Sequence, residues 1–177
     1  MNEKKLFVLI LCVIIGTMLC VPSKKVLSIS NRKNNSEKYY VDDTRLEGFE
    51  IAYTHSVNKG RVHDHYRTWE IPDGMILEST LFVSYGAGIP EPGEMPGSRF
   101  IVKDDGYEIG GIDRFIDKLT MAVGLVANHT ITFWVYKHDI DPVAVEYKLT
   151  DLFAPQTSIV LQKKRVSLLS YILHKLK

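Results

Sequence analysis

Apolar and polar positions alternate most regularly between residues 47 and 69. Phe49, Ile51, Tyr53, His55 and Val57 share one face of an extended chain and Glu50, Ala52, Thr54 and Ser56 the other, which predicts a half-buried strand. Asn58, Lys59, Gly60 and Arg61 follow as turn residues, with Gly60 suited to the positive φ of a tight connection. A second strand then runs from Val62 to Trp69. Two registers are open for this hairpin. In the favoured one Val57 lies opposite Val62, Tyr53 opposite Tyr66 and His55 opposite Asp64, so that tyrosines and valines share one buried face. In the other, a bulge at Gly60 sets Val57 against Arg61 and His55 against His63.

The same alternation predicts strands over 75–85, 100–102, 129–136, 143–149 and 158–161. Ile71, Pro72, Asp73 and Gly74 form a turn signal, proline presetting φ and glycine accepting a left-handed conformation. Three successive strands joined by tight turns argue for an antiparallel meander. Residues 112–123 fit both periods and are read as one helical turn followed by a strand. Residues 86–98, with Pro90, Pro92 and Pro96, are an irregular loop. The expectation is an all-β domain over 45–162, an antiparallel meander folded into a sandwich or partly open barrel.

Both ends depart from this pattern. A short basic start precedes an uncharged apolar run bounded by Leu6 and Val21, about 24 Å long as a helix against a hydrocarbon layer of about 30 Å. Residues 1–22 are therefore a signal peptide or a membrane anchor. Retention as an anchor is expected, with the β-domain outside the cytoplasm; the alternative is a secreted or periplasmic protein cleaved near Val21, Pro22 and Ser23. Residues 23–44 are polar without apolar periodicity and read as a tether. Over 163–177, Val166, Leu169, Ile172, Leu173 and Leu176 line one helical face among Lys163, Lys164, Arg165, Lys175 and Lys177. Such a basic amphipathic helix would set Leu169 and Leu173 on an anionic membrane, or cap the open end of the β-domain.

The formal net charge is +1, so composition implies no nucleic-acid partner. Cys12 and Cys20 both lie in the apolar run, leaving no disulfide to staple the domain. His55, Ser56 and Asp64 are the residue types of a hydrolase triad, yet neighbours on a strand point to opposite faces, so His55 is poorly placed as a base for Ser56. His63 and His65 share a face at a spacing that can chelate a metal, with His55 or His129 as a third ligand. The structural alternative pairs His55 with Asp64 and leaves Glu78 beside Arg67 or Thr80, or lining a pocket next to the 86–93 loop. No cofactor and no catalytic residue is expected.

At His55-Ser56-Val57, Glu78-Ser79-Thr80, the run from Ser84 through Gly86 to Pro90, and residues 119–130, the chain resembles an uncharacterised bacterial family, domain of unknown function 1850. That resemblance implies a small exported or membrane-anchored protein encoded beside TRAP transporters of the TAXI type. It implies no activity. The expected role is a non-catalytic accessory domain that binds the permease, the solute-binding protein or the solute. Its contacts would be His55, Ser56, Asp64 and Glu78 in the cluster and Tyr85, Gly86, Gly88 and Pro90 in the loop. The alternative is a metal- or small-ligand-binding envelope protein, followed by a hydrolase.

Overall fold

Two antiparallel sheets face each other in the computed structural model, which describes residues 3–34, 38–83, 86, 90–91, 93–104, 106–137 and 141–176. Helix α1 (Glu3–Cys20) is followed by β1 (Pro22–Asn31), β2 (Lys38–Asp42) and a 3-10 turn (Asp43–Arg45). Then come β3 (Leu46–Thr54), β4 (Arg61–Trp69), β5 (Gly74–Phe82), β6 (Arg99–Lys103), β7 (Gly106–Ile116), β8 (Leu119–Ala122) and β9 (Thr130–Tyr136). The chain closes with β10 (Pro142–Lys148), α2 (Leu149–Leu152), β11 (Ser158–Ser167) and α3 (Leu168–His174). The four-stranded sheet has the order β2-β1-β11-β8 and the seven-stranded sheet β10-β9-β3-β4-β5-β7-β6. The expected all-β antiparallel sandwich with a helix at each end is what forms, and it is not a closed barrel. β3, β4 and β5 are neighbours, as the meander requires.

The core follows from strand alternation. Leu27, Ile29, Ile159 and Leu161 of the smaller sheet pack against Phe49, Ile51, Met75, Leu77, Ile131 and Phe133 of the larger one, all buried. Phe49 and Tyr66 are direct cross-strand partners whose rings stack at 4.8 Å and 6°. Phe153, just past α2, closes one side of the core and meets Tyr39 edge-on at 5.4 Å.

The two ends correct the sequence reading. The segment expected as a tether forms β1 and β2 instead, and α1 runs into β1 through Val21 alone. Val26, Leu27, Ser28, Ile29 and Ser30 are all buried, so this strand is covered on both faces and shows no alternation. The basic tail is likewise not one helix from residue 163: β11 continues to Ser167, and α3 spans seven residues. Helix α3 lays Tyr171 against Val26, Tyr40 and Val166, touches α1, and leaves Leu169, Ile172 and Leu173 exposed. Residues 112–123, expected as one helical turn and then a strand, hold no helix: they begin with the end of β7, and the strand that follows is β8. Helix α1 buries none of its residues, and Leu6 and Val21 are exposed. Its first turn carries Glu3, Lys4 and Lys5, and among the described residues no helix is long and apolar enough to cross a membrane.

Lys163, expected on the membrane-facing side of the tail, lies instead opposite Leu27 on the inner face of the smaller sheet. Its Nζ is 3.0 Å from Asp43 Oδ2, and both side chains are 2% exposed. It also donates to the Trp69 carbonyl at 2.8 Å, while Glu70 and Asp73 stand at 3.8 and 3.7 Å. One ammonium thus ties the 3-10 turn, the β4–β5 turn and β11 together. Removing one partner of a buried pair strands the other charge. Lys163→Ala is expected to destabilise the fold by about 3 kcal/mol in urea denaturation, and the paired change Asp43→Asn with Lys163→Met to cost less than that single change.

Candidate functional site

Strand register fixes which loops meet. β1 pairs with β11 from Pro22↔Ser167, beside α1, to Asn31↔Ile159, and β8 pairs Ala122 with Ser158. The chain leaving β8 therefore emerges at the end of the sandwich remote from α1, about 30 Å away along β1. There the 123–129 loop meets the β3–β4 connection. The Thr54 N–H donates to the Ala127 carbonyl at 2.7 Å, and the Arg61 guanidinium to the Asn128 carbonyl at 2.7 Å and the Thr130 hydroxyl at 2.9 Å. A Cβ built on Gly86 would lie 3.5 Å from Asn58 Cβ. Three stretches singled out in the sequence, around His55, around Gly86 and over 124–130, thus converge at one end.

The hairpin itself takes neither expected register. Tyr53 lies opposite Val62, Ile51 opposite Asp64 and Thr54 opposite Arg61, leaving a six-residue loop. The displacement is even, so the buried face keeps Val62 and Tyr66 while the partners change. The loop satisfies its own backbone: the His55 N–H donates to the Gly60 carbonyl at 2.9 Å and the Lys59 N–H to the His55 carbonyl at 3.1 Å. The His55 Nδ1 accepts from the Val57 N–H at 3.3 Å, and Asn58 Oδ1 accepts from the Gly60 N–H at 2.9 Å. The left-handed residue is Lys59, at φ 60°, and not Gly60. Gly74, expected to supply the same freedom, starts β5, where a side chain would meet the Phe115 ring at 2.4 Å.

A concavity of about 430 Å3 lies between the two loops, lined by Thr54, His55, Ser56, Lys59, residues 124–127 and Gln156. Its rim is apolar and open at Leu125 and Val126, 66 and 86% exposed, and Val57, between the lining residues Ser56 and Lys59 in the chain, is 63% exposed. Single exposed apolar residues are ordinary, whereas three on two touching loops form a patch. Behind them the Gly124 N–H donates to His129 Nδ1 at 3.1 Å, and burial together with Arg61 holds that imidazole below its ordinary pKa. A neutral ring suits the acceptor role.

The remaining expected residues sit elsewhere. His55 does not meet Asp64, which lies on the inner face, accepts from the Thr80 hydroxyl at 2.8 Å and faces Ile51. Burial pushes the Asp64 carboxyl up, against the opposing pull of Thr80, His65 and Arg114, and burial with Asp64 nearby pushes the Tyr53 phenol up to about 12. Ser56 is exposed. Glu78 accepts from Arg67 Nε at 2.6 Å on the outer face of the larger sheet. His63 and His65 share that face, their Nδ1 atoms 2.8 and 3.4 Å from the two oxygens of Glu50. Glu50, missed in the sequence, is the residue that organises them, and among the described residues no three His, Cys, Asp or Glu side chains are grouped to hold a metal. Pro90 stands in the loop before β6, and Tyr85 and Gly88 lie outside the described residues.

A carboxyl whose folded-state pKa is raised holds its proton more tightly in the folded than in the unfolded chain. Ionising Asp64 therefore costs stability as pH rises above the ordinary value near 3.8. Asp64→Asn is expected to raise the melting temperature at pH 7 and to lose that advantage on acidification toward pH 3, by thermal unfolding across pH. His55→Ala is expected to cost about 1 kcal/mol through the lost loop bonds. Ala52, Tyr53 and Thr54 separate it from the Ile51–Asp64 pair, so the double variant should be additive within about 0.5 kcal/mol.

Among known proteins, no curated protein and no solved structure matches the chain. A family model, domain of unknown function (DUF1850), matches residues 49–140, just over half of the sequence. The matched span runs from within β3 past the end of β9 and holds all three converging stretches. With its motif-bearing loops gathered at one end of the sandwich, the chain belongs to the DUF1850 family.

Proposed function

We propose that this protein is a non-catalytic domain held outside the cytoplasm at the membrane by α1, and that its remote loop end docks onto a TRAP-type solute transporter of the TAXI class. The observation that carries the reading is the polarity of the sandwich. Helix α1, apolar beyond its first turn and without a buried side chain, stands at one end, and the apolar rim of Val57, Leu125 and Val126 at the other. An apolar helix that buries none of its side chains and touches α3 is stable where lipid covers it, and α1 has the length to enter the apolar layer without traversing it. The rim offers a partner protein an apolar centre bordered by Lys59 and Gln156, the arrangement of a protein-docking patch. The transporter enters through the family resemblance. A second reading, a small-ligand-binding envelope protein, is favoured by a cleft at the α1 end.

The test is cross-linked purification of the tagged full-length protein from its native membranes, with mass-spectrometric identification of what is recovered. The expected result is a TRAP permease or solute-binding subunit, reduced at least tenfold in the double variant Val57→Asp, Val126→Asp. Those residues are exposed, so that variant should unfold like the original. Recovery of no transporter subunit, or recovery unchanged by the variant, overturns the proposal.

A further inference from the structure

A cleft of about 520 Å3 opens between the edges of the two sheets, with β2 on one side and β9 and β10 on the other. Helix α3 and the residues after it close one wall: the Leu176 N–H donates to the Tyr40 carbonyl at 3.0 Å, and the His174 ring stacks on Tyr40 at 5.6 Å. The apolar lining is Phe133, Val135, Val145 and Leu176, joined by Tyr147 and Tyr171. Volume and lining are those of a small-molecule site.

Positive charge predominates among the side chains that line the opening, with Glu47 engaged by the Tyr136 hydroxyl beside it. Arg45, Lys137 and Lys175 line it, all exposed, and none of the three makes an ion pair with another described residue. Among the described residues the lining holds one acid, Asp42, and that carboxylate is already occupied by Lys24 Nζ at 2.6 Å, the Thr44 hydroxyl at 2.7 Å and the Thr44 N–H at 3.1 Å. An apolar, largely aromatic trough beside three cations that have no ion-pair partner among the described residues complements a molecule with the opposite arrangement. We propose that this cleft binds a small amphipathic organic anion, its apolar body against Phe133, Val135 and Tyr147 and its carboxylate or phosphate among Arg45, Lys137 and Lys175. The site stands apart from the transporter docking surface and does not depend on it. Because the cleft borders α3, which touches α1, the anion has two sources: a free organic acid, or the headgroup of a lipid from the adjacent membrane.

The experiment is calorimetric titration of the full-length protein in phosphatidylcholine nanodiscs with 3-phenylpropionate, its neutral amide 3-phenylpropanamide, and dihexanoyl phosphatidylglycerol. The same titrations use the double variant Arg45→Gln, Lys137→Gln, whose two positions are exposed and leave folding intact. Saturable binding of phenylpropionate at one site, at least tenfold weaker for the amide and for the variant, supports the proposal and a free acid as ligand. Saturable binding of the phosphatidylglycerol alone, weakened in the same variant, supports it with a lipid as the source. Equal affinity for acid and amide, affinity unchanged in the variant, or no saturable binding of either anion overturns it.

Discussion

The structure depends on the pairing of the two ends of the chain. β1 and β11 run alongside each other from Pro22↔Ser167 to Asn31↔Ile159, and their inner side chains Leu27, Ile29, Ile159 and Leu161 cover the apolar face of the seven-stranded sheet. Neither strand lies within the 49–140 span that the family model matches. Without them Phe49, Ile51, Met75, Leu77, Ile131 and Phe133 would face water. The same pairing sets the polarity of the molecule. α1 enters β1 and α3 leaves β11 at one end, while β8, paired to β11, delivers the 123–129 loop to the other.

How far the fold was legible depended on which faces are covered. β3, β4 and β9 read clearly because the larger sheet has one buried and one open face, so alternation survives. β1 was hidden because α3 covers with Val26 and Tyr40 what alternation would have left polar, and because Ser28 and Ser30 are buried with its apolar residues. Lys163 misled for a related reason: counted as a solvated charge on a helix, it is a buried ammonium in a strand, neutralised by an aspartate 120 residues earlier in the chain. Long-range electrostatic pairing leaves no periodic trace.

The candidate site was legible as separate pieces. His55, Gly86 and the 119–130 stretch stood out one by one, while their meeting required the antiparallel pairing of β3 with β9 and of β8 with β11. The register of the hairpin was missed because the shortest loop was assumed; the histidine ring and the Asn58 amide make a longer loop self-sufficient in hydrogen bonds, and the stacked Phe49 and Tyr66 hold it there. Asp64 and Glu78 then separate from His55 onto the inner and outer faces of the sheet, and the docking surface proposed above rests on Val57, Leu125 and Val126, residues with no distinctive chemistry in the sequence. Cationic cleft and apolar loop rim occupy opposite ends of the sandwich, so the two proposed contacts are separable.

The central claim is that α1 marks the membrane side and the 124–127 loop points away from it, outside the cytoplasm. It is tested most directly by replacing Cys12 and Cys20 with serine, introducing Val102→Cys on the exposed edge strand β6, outside the docking rim, and treating intact spheroplasts with a membrane-impermeant maleimide before and after lysis. The account predicts full labelling before lysis on a protein that sediments with membranes. Labelling that appears after lysis alone would contradict it.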